Sequence, residues 1–155
     1  MFSRVLLFAP LVFICHFLEE SPEFVSWFNA HVARGITSGL FWQVNVSALF
    51  ITVTVVGIEW FARSALSLIL AVAWLSFLML ANAVFHVAAG IVDGQYVPGL
   101  VTAILLYIPY YAWLFTGAIR SKRSRITAVF LALGVGSLPM LVHGYLIVFR
   151  GSRLF

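Results

Sequence analysis

The sequence predicts an all-α fold, an integral membrane bundle of about five transmembrane helices with one short interfacial amphipathic helix. Two observations carry that prediction. Of 155 residues, 63% are hydrophobic and only 9% are charged, against roughly 45–50% and about 25% in soluble domains. A chain this short cannot hide so much apolar surface from water, because small domains keep a high surface-to-volume ratio. The apolar residues also run in continuous stretches, several near the roughly 20 helical residues that cross a hydrocarbon core. The same composition excludes a disordered chain. The one cysteine, Cys15, excludes an intrachain disulfide and a CxxC motif. A nucleic-acid partner is not expected. The net charge is +4, but four of the nine basic residues fall in one hexapeptide rather than along an exposed face.

Five segments qualify as spans, at about 5–18, 44–61, 65–91, 100–119 and 126–149, and together they make one domain over 1–155. Stretches such as Ile51-Thr-Val-Thr-Val-Val have strand propensity. They lack two-residue alternation, and only helices and closed barrels satisfy their backbone in lipid. The first segment has one arginine and no A-x-A cleavage site, so it is read as a retained helix rather than a signal peptide. Between the first two spans, Ser21-Pro22-Glu23 has the form of a helix start, with an N-cap serine and a first-turn proline. Phe24, Phe28, His31 and Val32 follow at three- and four-residue spacing, and Gly35 is placed to end the helix.

Basic residues orient the spans. With the N-terminus inside, one face receives Arg4, Arg63, Arg120, Lys122, Arg123 and Arg125, and the other receives Arg34, Arg150 and Arg153. The positive-inside rule then puts the N-terminus in the cytoplasm and the C-terminus outside. The run Arg120–Arg125 anchors this topology and could also meet anionic lipid heads. A short chain without sorting motifs fits a bacterial inner membrane.

Polar residues inside a membrane are costly, which makes them the best functional evidence. His16, Glu19 and Glu20 end the first span. Asn82 and His86 lie in the outer part of the third, and His143 lies near the outer end of the fifth. The rise of the helix brings all three histidines to similar depth. His16 and Glu20 are four apart, as are Asn82 and His86, so each pair shares a helix face. Pro139, one turn before His143, frees a backbone carbonyl and should kink the helix beside that histidine. Asp93-Gly94 reads as a turn, and Glu59 is expected to pair with Arg63 at i+4.

These residues form three short motifs. His16-Phe17-Leu18-Glu19-Glu20 is HxxEE, Asn82-Ala-Val-Phe-His86 is NxxxH, and Tyr96-Val-Pro-Gly99 is YxPG. In that order, in a small multi-pass chain, they resemble the HXXEE family of membrane proteins. The resemblance implies a fold and a set of motif residues, and no reaction. It also favours a retained first helix, since cleavage before His16 would detach the helix that positions the first motif.

Two imidazole-bearing pairs with carboxylates suit one divalent transition metal, zinc first, on the ligand set His16, Glu20, His86 and His143. Glu19 is then a second partner or general base, and Asn82 an orienting hydrogen-bond donor. Tyr96 could reach over the cluster. Such a metal would activate water for attack on an ester or amide of a lipid-like, amphipathic substrate drawn from the membrane. A metal-free alternative uses the same groups for proton transfer, with Trp42, Trp74, Tyr107, Tyr110, Tyr111 and Trp113 available to stabilise a carbocation during isomerisation or cyclisation of an isoprenoid-like lipid. A third reading is a sensing or structural bundle without catalysis.

Overall fold

The computed structural model describes residues 2–32 and 35–151. It is 85% helical, with no strand among the described residues. The helices are α1 (Phe2–Glu20), α2 (Phe24–His31), α3 (Ser38–Ala62), α4 (Ala65–Asp93), α5 (Leu100–Arg120) and α6 (Ile126–Arg150). All but α2 are long and apolar enough to cross a membrane. The chain therefore has the predicted membrane-bundle fold. Arg34 and Arg153, both counted in the charge split, lie outside the described residues.

Helix α4 is central. Over half of its most apolar window is buried (56%), against 17% for α3 and α6, and it packs against α3, α5 and α6. The approach of α6 to α4 depends on Gly136, where an added Cβ would run into the Ala73 backbone carbonyl. Helix α1 packs against α3 and α5. It breaks at Leu7-Phe8, just before Pro10, which has no N–H for the bond to Leu6. Tyr110 of α5 donates to the Val5 carbonyl beside this break (2.9 Å). Ser76 and Tyr111 hydrogen-bond in the core.

Three helices widen locally into π turns, at Ser76–Ala81 of α4, Ala103–Tyr107 of α5 and Leu146–Gly151 of α6. Such turns are rare and cluster at functional sites. The first ends immediately before Asn82, and the second begins immediately after Thr102.

The segment after α1 differs from expectation. Ser21 does not cap α2; its hydroxyl donates back to Leu18 (3.0 Å) while its N–H closes the last turn of α1. Helix α2 starts at Phe24 and is only eight residues long. Its Trp27 is buried with Phe85, Ala89 and Val97 in a second apolar cluster. The Trp27 indole N–H donates to Asp93 (3.1 Å), so Asp93 holds α2 on the bundle, while Gly94 makes the turn at φ +67°.

Glu59 also differs. It is fully buried and accepts from the Ser3 hydroxyl (2.7 Å), the Ser67 hydroxyl (2.6 Å) and the Arg123 guanidinium (2.6 Å). Arg63 is not its partner, because the chain leaves the helix at Arg63 with φ +44° and the guanidinium stacks over Trp60. The i+4 rule assumes that both residues stay helical. Glu59 thus ties α1, α3, α4 and the loop before α6 together. Removing one partner of a buried ion pair strands the other charge. Glu59→Ala should therefore cost about 3–5 kcal/mol in detergent unfolding, whereas Arg63→Gln should stay within about 1 kcal/mol. Equal losses would restore the sequence-based pairing.

Candidate metal centre

The last two turns of α1 carry His16 and Glu20 on one face. Helix α4 delivers His86 to the same end of the bundle, where the loop from Asp93 turns back into α5. His16, Glu20 and His86 are all buried (1%, 5% and 0% exposed), and one ligand atom from each lies within 4.8 Å of the other two. Glu20 Oε1 is 3.1 Å from His86 Nε2 and 3.5 Å from His16 Nε2. Neither approach is aligned as a hydrogen bond, and both Nε2 atoms are buried without a hydrogen-bond partner. The two rings cross edge to face with centroids 5.0 Å apart.

The tautomer of His16 follows from its other nitrogen. His16 Nδ1 is 2.8 Å from Thr102 Oγ1, and the Thr102 hydroxyl donates to the Gly99 carbonyl (3.3 Å). A hydroxyl has one proton to give. With that proton on Gly99, its oxygen accepts from His16 Nδ1–H and the Nε2 lone pair faces the Glu20 carboxylate. A lone pair and a carboxylate oxygen repel each other unless a cation, metal or proton, sits with them. Fixing a histidine through its second nitrogen is also how metal-ligating imidazoles are oriented.

Gly99, the last residue of the YxPG motif, roofs the group. It has φ +94°, and a Cβ there would lie 2.7 Å from His86 Cε1, 3.0 Å from Glu20 Cγ and 3.1 Å from His16 Cε1. Sequence reasoning used this motif for the family resemblance and missed the close approach. Thr102 was missed as well. Its place three residues after that glycine, in the first turn of α5, was the available signal. Tyr107 closes the group from below. Its ring lies 4.1 Å from that of His16, centroid to centroid, and its hydroxyl is buried without a partner.

Glu19 points elsewhere. Its Oε1 accepts from the Tyr96 hydroxyl (2.7 Å) and the Val101 N–H (3.1 Å), and its Oε2 accepts from the Thr102 N–H (2.7 Å). A carboxylate from α1 thus caps the start of α5, where free N–H groups and the helix dipole favour negative charge. This fixes the Gly99–Thr102 loop above the histidines. Of the two roles expected for Glu19, partner or general base, the arrangement matches the partner, with both oxygens engaged. Tyr96 is half-exposed and binds Glu19 rather than reaching over the cluster. Partial burial, and the carboxylate it donates to, push its hydroxyl up to about 12, so it stays a proton donor across the physiological range.

Asn82 lies one turn before His86. Its buried Oδ1 has no partner, and it lines a cavity of about 200 Å³ together with Glu20, Phe24, Leu40, Phe41 and Val44. His143 does not join the group. It is exposed on α6 and is not among the converging ligands. Depth along a helix says nothing of direction around it, and the histidine faces outward. The space beside Pro139 opens instead between α3, α4 and α6, lined by Val55, Trp74 and Gly136. His31 bonds its own helix at the Trp27 carbonyl (2.9 Å).

A family described as proteins of unknown function with an HXXEE motif matches residues 7–114. The chain belongs to the HXXEE family. The matched region of this HXXEE protein contains His16, Glu19, Glu20, Asn82, His86, Gly99 and Thr102, and it ends before His143. No curated protein and no solved structure matches the chain.

The roof can be tested with an internal control. Gly94 and Gly99 both have positive φ, but a Cβ on Gly94 meets nothing within 4 Å. Gly94→Ala should show the backbone penalty alone, roughly 1–2 kcal/mol. Gly99→Ala should lose about 1–3 kcal/mol more, the range of overpacking a filled site. Equal melting temperatures for the two variants would mean that the loop does not press on the histidines.

Proposed function

We propose that this protein is a membrane-embedded, metal-dependent enzyme, hydrolase-like, acting on a lipid or another amphipathic small molecule. The observation that carries the reading is the convergence of two imidazole Nε2 atoms and one carboxylate oxygen, all buried, with no hydrogen bond between them. Two histidines and one glutamate are a catalytic zinc ligand set that leaves a coordination position open. Nitrogen and oxygen ligands without thiolate suit zinc, and the same two-histidine, one-carboxylate set also suits non-haem iron. Such a metal, when bound, polarises a carbonyl and lowers the pKa of water.

The chain's own residues divide the remaining work. Thr102 holds the His16 tautomer, and Glu19 holds Thr102. Asn82 offers an amide to the cavity beside Glu20. That cavity is walled by Phe24, Leu40, Phe41 and Val44, of which Leu40 and Val44 are exposed on the outer side of α3. A cavity of about 200 Å³ is smaller than the usual site for a whole drug-sized ligand. It suits the reacting group of a longer molecule whose apolar remainder stays along α3 in the bilayer.

Metal analysis by mass spectrometry, on protein purified without chelator or histidine tag, should give about one zinc per chain. His86→Ala should abolish it and leave the chain folded, because it removes one imidazole from a polar group. Glu19→Gln should keep the metal and loosen the α5 loop, seen as faster amide exchange at Val101 and Thr102. The metal-free reading rests on the ion-pair distances of Glu20 to both histidines. A chain that takes up no metal on titration would leave that acid–base pair as the lead.

We place the metal centre on the outer side of a bacterial inner membrane, on the charge split already given. In a Cys15→Ser background, an impermeant thiol reagent applied to cells should label Ser26→Cys and miss Ser124→Cys. The reverse labelling would invert the protein.

A further inference from the structure

The end of the bundle opposite the histidines carries a second polar cavity, of about 460 Å³. It is lined by Ser3, Arg4, Trp60, Arg63, Ser121 and Arg123, with Phe2 at its edge. Three of these residues are arginines from three parts of the chain: the start of α1, the α3–α4 turn and the loop before α6.

The negative charge nearby does not balance them. Glu59 lies buried behind the cavity, and both its oxygens are engaged, Oε1 by Ser3 and Arg123 and Oε2 by Ser67. Arg4 and Arg63 make no ion pair among the described residues. Arg123 gives Nη2 to Glu59, while its Nη1 is buried and has no acceptor. The charge left for an oxyanion in the cavity is therefore that of Arg4 and Arg63.

The backbone is bent to form this group. Arg63 (φ +44°) and Lys122 (φ +55°) are the non-glycine residues with positive φ among the described residues. Arg63 lines the cavity, and Lys122 lies between its lining residues Ser121 and Arg123. Strained backbone of this kind persists where the surroundings hold it, often at ligand sites. Planar guanidinium forks match the oxygens of phosphate. The Arg63 guanidinium lies over the Trp60 ring and that of Arg123 over the Phe2 ring, so two of the three arginines are backed by aromatic faces.

We propose that this cavity binds a phosphate-bearing anion, either the headgroup phosphate of a membrane lipid or free inorganic phosphate. It is independent of the metal centre and does not rest on the proposed reaction.

Thermal unfolding of the delipidated full chain in non-ionic detergent, at constant ionic strength, tests this with three probes. These are dihexanoyl phosphatidic acid, dihexanoyl phosphatidylcholine and inorganic phosphate. Phosphatidic acid should stabilise the protein saturably and the zwitterionic phosphatidylcholine should not. The variant Arg4→Gln/Arg63→Gln should shift the phosphatidic acid midpoint by about tenfold or more, the scale of two arginines meeting an anionic lipid. This pair is chosen because Arg123→Gln would strand Glu59. If the double variant does not fold, the single variants take its place, each with a smaller shift of the same sign. Inorganic phosphate acting at the same midpoint as the lipid identifies the phosphate group alone as the ligand, and a lipid-only response identifies the headgroup. Either supports the proposal. It is overturned if neither anion stabilises the chain, if phosphatidylcholine does so equally, or if the variants respond like the parent.

Discussion

A buried carboxylate beside two imidazoles needs a cation, and the end of the bundle that carries them is arranged around that requirement. Glu20 is 5% exposed, and burying an ion without compensation costs several kcal/mol. Here the nearest groups are His16 Nε2 and His86 Nε2, neither of them bonded to it in line. Thr102 engages the other His16 nitrogen at 2.8 Å and so fixes the ring's orientation. Gly99 brings bare backbone against all three side chains. Glu19, one residue from Glu20 and pointing away, holds the loop that supplies both Gly99 and Thr102. The HxxEE motif therefore divides its two acids: one faces the histidines and the other anchors their roof.

This division shows what a sequence can and cannot disclose. The fold was legible because apolar runs of membrane length admit few alternatives. His16, Glu20 and His86 were legible from i+4 spacing and from depth. Direction around a helix was not, which is why His143 was placed with them although it faces outward. The two acids of the motif were already given different roles, Glu20 as ligand and Glu19 as partner or base, but what Glu19 holds is visible only once α5 packs beside it. Thr102 and Gly99 were obscure for another reason. Their roles depend on a loop that crosses from α4 to α5, and on π turns that no hydrophobic period announces. Glu59 is a similar case. Its pairing with Arg63 holds on an uninterrupted helix, and the helix ends at Arg63.

The two ends of the bundle are chemically distinct. One gathers histidine, glutamate and asparagine beside a cavity that mixes polar and apolar walls along α3. The other gathers arginine and serine around one buried carboxylate. The Glu59 network joins the start of α1 to α3, α4 and the loop before α6, so it fixes the near end of the helix whose far end carries His16 and Glu20. Loosening that network would move the ligands without touching them.

The central claim is that His16, Glu20 and His86 together hold one metal ion. X-ray absorption at the zinc edge, on zinc-loaded full-length protein, reads the ligands directly. The account predicts a shell of nitrogen and oxygen at about 2.0–2.1 Å with the multiple-scattering signature of two imidazoles, reduced to one in His16→Ala. A shell containing sulfur, a shell of water oxygens without imidazole scattering, or a spectrum unchanged in His16→Ala would contradict it.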